Sequence, residues 1–496
     1  MRSLKQNFIY NFLLTASNLL FPLITFPYAA RILGPEGIGT ANFVQNFCQY
    51  FILIAALGIP MYGNREIAKL RDNLYERSKV FYEIISLKVI TTLIVLIPYF
   101  FIVHFVDKFA PYKILYYWGA VYILIDILSF EWFFKGLENF RYITLRSLVV
   151  KVASIISLFL FVKSKSDLTI YFLIIVVTPF INGLINVRFA SRFLQFKFRF
   201  KELNLKRHIV PLLLIFGYYL GLSIYTMLDT VMIGFIATNI AVGYYVSAMK
   251  LNRIALMVNA SLGEVLVPRL TNEVANKNFD EVKRLLHQSL NFVFTFTIPM
   301  MAGIYILAPE IVLLFSGVEF LPSIPTMRIL CALILIVGIA NVFVTQVLIP
   351  LSKDKILLLL SILGGVISII LNFILIPFLE EKGAAITIII TEAIITATSF
   401  WFARKLIIIP FPIKVFLLNI ISVLPYFFIA NYIRLFTGNP LIIILFTAIA
   451  SISVFLIVQT YVFKNTILTG FIADKRIQLK KLVSYTLKFQ LKSAAK

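Results

Sequence analysis

The sequence predicts an all-α integral membrane protein of about fourteen transmembrane helices, on the strength of three observations. Of its 496 residues, 60% are hydrophobic and 14% are charged, whereas a soluble domain carries roughly 25% charged residues to make its polar skin. The apolar residues, 48 phenylalanines among them, gather in runs of about twenty, the length that crosses ~30 Å of hydrocarbon as a helix. Lysine and arginine, which give the chain a formal net charge of +23, sit mostly in alternate connections between those runs. A nucleic-acid-binding chain would gather them on one folded face, so no nucleic-acid partner is expected.

The first run, 8–30, follows Arg2 and Lys5 in the manner of a secretion signal. It is long, contains Pro22 and Pro27 and lacks a small-residue cleavage site, so it reads as a retained first helix. Runs at 39–59, 82–106, 114–134, 147–163 and 169–189 complete a first set of six. A second set lies at 210–235, 241–266, 288–308, 326–350, 356–377 and 384–403, and two more runs follow at 415–433 and 440–463. The expected organisation is an N-terminal six-helix bundle (1–190), a basic cytoplasmic linker (191–209), a C-terminal six-helix bundle (210–405), two further helices (415–463) and a basic cytoplasmic tail (464–496).

Orientation follows from the bias of Lys and Arg toward cytoplasmic loops. With the N-terminus cytoplasmic, cytoplasmic segments hold 34 of the 46 basic residues and the opposite loops hold eight. The other four, Lys88, Lys151, Lys250 and Arg253, fall inside spans. A miscount of one helix would invert every later loop, so both termini are expected on the cytoplasmic side. The linker from Arg188 to Arg207 carries seven basic residues and one Glu. The halves on either side echo each other: Gly39 and Arg65 stand 26 residues apart, as do Gly243 and Arg269. Each Arg precedes a charged amphipathic stretch, Glu66 to Lys79 and Glu273 to Arg284. Parallel repeats of six helices commonly enclose a central site that alternates access by rocking.

Cys48 and Cys331 both lie inside apolar runs, and His104, His208 and His287 are far apart. Neither a zinc site nor a disulfide framework is indicated, and no cofactor is expected.

Six blocks carry a family resemblance. FPLITFPYAARILGPEGIG (Phe21 to Gly39), ALGIPMYGNREIAKLRD (Ala56 to Asp72) and FEWFFKGLENFRYITLR (Phe130 to Arg146) occupy the first half. LDTVMIG (Leu228 to Gly234), VGYYVSAMKL (Val242 to Leu251) and GAAITIIITEA (Gly383 to Ala393) occupy the second. Over about the first 400 residues the chain resembles the Wzx-type oligosaccharide-lipid flippases of the multidrug/oligosaccharidyl-lipid/polysaccharide exporter superfamily. The last two helices share only number and apolarity with them. The resemblance implies two six-helix bundles arranged in a V, as in the multidrug exporters of that superfamily. It also implies a polyprenyl-diphosphate-linked oligosaccharide as cargo, carried from the inner to the outer leaflet of the bacterial cytoplasmic membrane for O-antigen, capsule or another surface polysaccharide. Membrane lipids, and with them a polysaccharide polymerase and a chain-length regulator, are the partners such a role suggests.

A diphosphate needs a polar, cationic path through hydrocarbon, and a charge at a helix centre costs roughly 2.5–3.5 kcal/mol on insertion scales. Lys250 and Arg253, three residues apart and so on one helical face, are the first candidates for the diphosphate, joining a point charge to a planar donor fork. The competing reading is that they pair with acids such as Asp229 to hold helices together. Arg31 ends the first helix, to meet departing cargo or to snorkel to the interface. Arg65 and Arg269 lie at matching cytoplasmic mouths, to receive cargo or to act as ordinary anchors. The acids within spans are Asp126, Glu131, Asp229 and Glu392, either coupling groups for an ion gradient or partners of Lys250, Arg253 or Lys151. Pro22 and Pro27 flank a candidate hinge in the first helix. The tail from Lys464 reads as a basic segment for the anionic inner leaflet.

A drug or organic-cation antiporter of the same superfamily is the runner-up, but such a protein should present an acidic cavity. An enzyme joining lipid-linked units is not expected. Outer loops are short, and no nucleophile triad, metal-ligand cluster or phosphate-cradling glycine loop occurs.

Overall fold

The computed structural model describes residues 4–195 and 202–463, with Leu4, Lys5, Phe8, Leu19 and residues 218–222, 224–226 and 258–265 described by backbone alone. The basic tail and the middle of the basic linker lie outside the described residues.

The described residues form fifteen α-helices and no strand: α1 (Leu4–Ala56), α2 (Ile59–Lys69), α3 (Leu74–Phe105), α4 (Lys113–Ile125), α5 (Glu131–Gly136), α6 (Phe140–Phe161), α7 (Leu168–Ala190), α8 (Lys206–Ile236), α9 (Asn239–Ala275), α10 (Phe279–Phe315), α11 (Ile324–Leu330), α12 (Ala332–Phe343), α13 (Asp354–Leu406), α14 (Ile413–Arg434) and α15 (Pro440–Ile457). Ten helical segments among them are long and apolar enough to cross a membrane. Large apolar side chains are widely exposed, Phe378 at 83% and Leu214 at 73%. In water that surface would be ruinous, so it faces lipid. The chain is a multi-pass membrane protein.

Two helices are long enough for two crossings. A straight 53-residue helix would run ~80 Å, and both α1 and α13 break inside that length. In α1 the break is Gly34, at φ 68 and ψ −179. Glycine tolerates that φ at no steric cost, and the following Pro35 disfavours helical backbone at the residue before it. In α13 it is Glu380, at φ 48 and ψ −124, a non-glycine residue in a conformation that costs energy. The break separates the expected runs 356–377 and 384–403.

The expected run 114–134 is not one helix. It divides into α4, a 3-10 turn at Asp126–Leu128 and the short α5.

The chain forms two compact units. The first comprises Met1–Lys250, Phe315–Thr326 and Ser361–Thr391. Within it, Ile59, Tyr62, Ile67, Phe81, Trp132, Phe133 and Phe134 share one buried cluster. Here α2 packs on α5 through glycines: a Cβ on Gly63 would strike the Trp132 indole, and one on Gly136 would lie 2.8 Å from the Ile67 side chain. Gly58, at φ 78, turns the chain from α1 into α2.

The part of α1 just past its break and the start of α9 also meet in the first unit, closer than side chains allow. A Cβ on Gly39 would strike the Asn239 carbonyl, and one on Gly243 would strike the Pro35 carbonyl. The two contacts are reciprocal, because 39 and 35 shifted by 204 positions become 243 and 239. A segment meeting its own equivalent in this way has the form of a two-fold, isologous contact. Small residues at such crossings let membrane helices pack backbone to backbone.

The second unit comprises Leu251–Leu314, Met327–Leu360 and Glu392–Lys496. Its core includes Leu270, Leu286, Phe294, Phe343 and Ala403. Arg434, at the end of α14, gives Glu310 of α10 two hydrogen bonds of 2.7 and 2.9 Å and caps the Ile306 carbonyl at 2.8 Å. Buried Gln459 donates to Asn419 and Ser422, both at 3.0 Å, which ties α14 to the turn that follows α15.

Candidate functional site

Charged groups inside apolar helices are the residues whose placement costs most, so the site is built from them. In the first unit, Lys88 of α3 is 2% exposed at its side chain, and its Nζ lies 2.9 Å from Asp126 Oδ2. The same ammonium donates to the carbonyls of Asp126 and, at 3.2 Å, of Ser129. The Asp126 carbonyl also closes the 3-10 turn, accepting from the Ser129 amide at 2.9 Å, and the ammonium adds the interaction of a cation with carbonyls at a helix C-terminus. The break in the run 114–134 is thus a Lys88 site. Asp126, expected to pair with Lys250, Arg253 or Lys151 if it paired at all, is held by Lys88 instead.

Glu131 opens α5 and accepts a hydrogen bond from Arg146 of α6. The Arg146 side chain is 3% exposed, also donates to Asn186 Oδ1 of α7 and stacks over the Tyr142 ring at 5.6 Å. Here too the partner of the acid differs from the basic residues expected. Lys151 turns to neutral groups, Ser17 Oγ at 2.8 Å and Asn18 Oδ1 at 2.5 Å on α1.

Asp229 of α8 is 3% exposed. Tyr245 donates to its Oδ2 at 2.7 Å and Asn372 of α13 to its Oδ1 at 2.8 Å. The carboxylate therefore fastens three helices of the first unit. Glu392 is half-buried on α13, and its carbonyl accepts from the Thr396 hydroxyl at 2.7 Å.

Lys250 is half-buried, and its Nζ lies 4.2 Å from the centroid of the Phe26 ring. Phe26 in turn stacks on Phe315 at 5.4 Å. A cation over an aromatic face is held by the ring quadrupole. Arg31, one and a half turns along α1 from Phe26, passes Gly317, whose added Cβ would stand 3.2 Å from Arg31 Cγ. Lys250 and Arg31 are thereby brought to one short stretch, Phe315–Gly317. Arg253 lies on α9 with Lys250, three residues on; it is exposed and makes no ion pair among the described residues.

Arg65 and Arg269 each meet an acid and remain 55% exposed, Arg65 with Glu66 at 3.2 Å and Arg269 with Glu281 at 2.8 Å. Burial pushes the Glu66 carboxyl up, but Lys69 and Arg65 beside it hold it below its ordinary value. The backbone stays helical through Pro22 and Pro27, and the departure from helix in α1 is at Gly34.

Sequence reasoning left one cluster unread. Glu83 of α3, fully buried, accepts from His208 at 2.8 Å, from the Asn204 amide at 2.8 Å and from Arg207. His208 Nδ1 also meets the Tyr62 hydroxyl at 2.7 Å. This cluster pins the linker end of α8 to α3. A Glu four residues past the charged start of α3, where the apolar run begins, was its one visible signal.

The profile of a family described as polysaccharide biosynthesis protein matches residues 4–273. A protein of Escherichia coli (strain K12) designated an O-antigen transporter is 27% identical over 413 residues, spanning 81% of this chain and 97% of its own. One of Shigella dysenteriae with the same designation is 25% identical over 363 residues, spanning 71% of this chain and 88% of its own. Among solved structures, the lipid II flippase MurJ in an inward closed conformation superposes with a TM-score of 0.71 at 17% identity, covering 93% of this chain and all of that one. An inward-facing multidrug transporter of the MATE family gives 0.60 at 14% identity, covering 78% and 93%. These two likenesses establish the fold.

Proposed function

The chain belongs to the polysaccharide biosynthesis protein family, and on that premise we propose that it turns polyprenyl-diphosphate-linked oligosaccharide units from the inner to the outer leaflet of the bacterial cytoplasmic membrane. The units serve a surface polysaccharide, O-antigen or capsule. Alternating access carries the sugar-bearing head past hydrocarbon while the prenyl tail stays in lipid, and both chain termini are cytoplasmic. Relatives designated O-antigen transporters, matching most of this chain, support the reading.

One observation carries the choice of an anionic cargo. The basic residues Lys88 and Arg146 are buried on acids, and Lys151 is spent on Ser17 and Asn18. Arg253, near the middle of α9, is exposed with no acid partner among the described residues. An exposed guanidinium at that depth is tolerable only beside water, because hydrocarbon costs it roughly 2.5–3.5 kcal/mol. It therefore marks a wet, cationic path, suited to a diphosphate and hostile to an organic cation. Lys250, three residues before it on α9, is the second candidate for the headgroup. Arg65 and Arg269 receive the diphosphate at the cytoplasmic mouths, and Arg31 meets it on departure. Asp126 and Asp229 are the leading acids for coupling to an ion gradient.

The test uses purified protein in liposomes with labelled oligosaccharide-lipid and an external glycosidase that reports sidedness. Wild-type protein is expected to expose label to the enzyme, and Arg253→Gln to slow this at least about tenfold, the equivalent of one charge-assisted bond. Unchanged sidedness together with export of a cationic dye would transfer the case to the drug antiporter.

A further inference from the structure

At the break in the middle of α1, around Gly34, the first unit carries an open cavity of about 520 Å³, within the range of small-molecule sites. Five side chains give it its chemistry: Glu36, Tyr112, Lys165, Tyr244 and Glu319. Tyr112 donates to Glu36 Oε1 at 2.8 Å. Lys165 Nζ donates to both Glu319 oxygens, at 2.8 and 3.1 Å. Gly34 makes room for this arrangement, since a Cβ there would come 2.5 Å from Glu319 Oε2. Tyr244 is half-buried, its ring set edge-on to Phe320 at 6.2 Å.

Two carboxylates and one ammonium leave the lining with a formal charge of −1, so it repels a diphosphate. Both carboxylates are already engaged, so a metal ion would have to strip Lys165 or Tyr112 from them. What the lining does offer is a set of fixed acceptors, one flexible donor and two aromatic faces. Carboxylates accept from hydroxyls and ammonium donates to them, while the negative face of a tyrosine ring attracts the polarised C–H groups of a saturated ring. We propose that this cavity is a pyranose-binding site, taking a neutral sugar ring with its hydroxyls on Glu36, Lys165 and Glu319 and a C–H face on Tyr244 or Tyr112. Its role, holding a sugar of the cargo on the side where it is released, rests on the transport reading above; its chemistry rests on the cavity alone.

The experiment is saturation-transfer NMR on the full-length protein in lipid nanodiscs, with free glucose, galactose, N-acetylglucosamine and rhamnose as separate probes. Transfer to the ring protons of at least one sugar is expected. The Glu36→Gln/Glu319→Gln pair should weaken its binding roughly tenfold, through loss of charge-assisted bonds. Tyr244→Ala should weaken it too, and Tyr112→Phe, which keeps the ring, by less. Variants are scored only where their melting matches the wild type, with Tyr112→Phe as the mildest replacement. No transfer from any sugar, transfer undiminished in every variant, or calcium retention in place of sugar would each overturn the site. Protein that turns oligosaccharide-lipid in liposomes yet gives no transfer sinks the sugar site alone. Transfer without any turning of oligosaccharide-lipid sinks the transport reading alone.

Discussion

Replacing Gly39 or Gly243 with alanine probes the reciprocal crossing of α1 and α9. At position 39 the added Cβ would stand 2.7 Å from the Asn239 carbonyl carbon and 2.8 Å from the Gly243 nitrogen. At position 243 it would stand 2.8 Å from the Pro35 carbonyl carbon and 3.0 Å from Pro35 Cα. All four are backbone atoms, so no rotamer change relieves the overlap and the helices must part. Alanine favours a helix over glycine by up to ~1 kcal/mol, yet overpacking a tight contact costs about 1–3 kcal/mol. Parting the helices by on the order of 1 Å also forfeits a quarter to a half of the dispersion attraction along the crossing. Each single variant should therefore lose about 1–3 kcal/mol. The reciprocity makes a sharper claim. One separation of the helices relieves both overlaps, so the Gly39→Ala/Gly243→Ala protein should cost little more than the worse single variant. Independent sites would instead add to within about 0.5 kcal/mol. Unfolding in mixed SDS micelles, followed by tryptophan fluorescence, measures all three. A neutral single variant, or a double equal to the sum, would refute the two-fold contact.

Removing Lys88 with Lys88→Met strands the Asp126 carboxylate and should cost about 3–5 kcal/mol, the loss typical of breaking a buried pair; adding Asp126→Leu should recover part of it, read as folded yield in detergent. Glu131→Gln should unseat Arg146 from α5 by a similar route, with Arg146→Lys a poor substitute because the fork reaches Glu131 and Asn186 together. In the second unit, Tyr426, Thr447 and Ser451 line an apolar cavity of about 430 Å³, and among the described residues their buried hydroxyls have no hydrogen-bond partner. Thr447→Val and Ser451→Ala should therefore each raise the melting temperature, since an unmade buried bond costs ~1–3 kcal/mol; a fall in both would show that those hydroxyls are satisfied in the membrane.

Much of the membrane architecture was legible in the sequence because lipid asks for one thing repeatedly. Twenty apolar residues with their backbone satisfied internally make a span, so the long runs at 82–106, 169–189 and 415–433 reappear as α3, α7 and α14. The separate runs 8–30 and 39–59 anticipated the break in α1, which the structure places at Gly34 before Pro35, and the six blocks from Phe21 to Ala393 carried the family. Gly39 and Gly243 were visible as a repeat. That they touch was not, since a repeat gives equivalence without contact.

Partner choice belonged to the tertiary structure. Nothing local to Asp126 ends a helix there; the unwinding is stabilised by an ammonium 38 residues away on α3. Glu131 and Arg146 sit 15 residues apart in one block, yet only the turn between α5 and α6 and the approach of α7 make Arg146 its buried partner. Glu380 leaves the helical region with no glycine or proline at its own position. An ion pair depends on distance in space, which falls off within a few ångströms, and apolar periodicity records only distance along the chain. Composition therefore determined that charge in these helices must be sheltered, and packing alone decided by what.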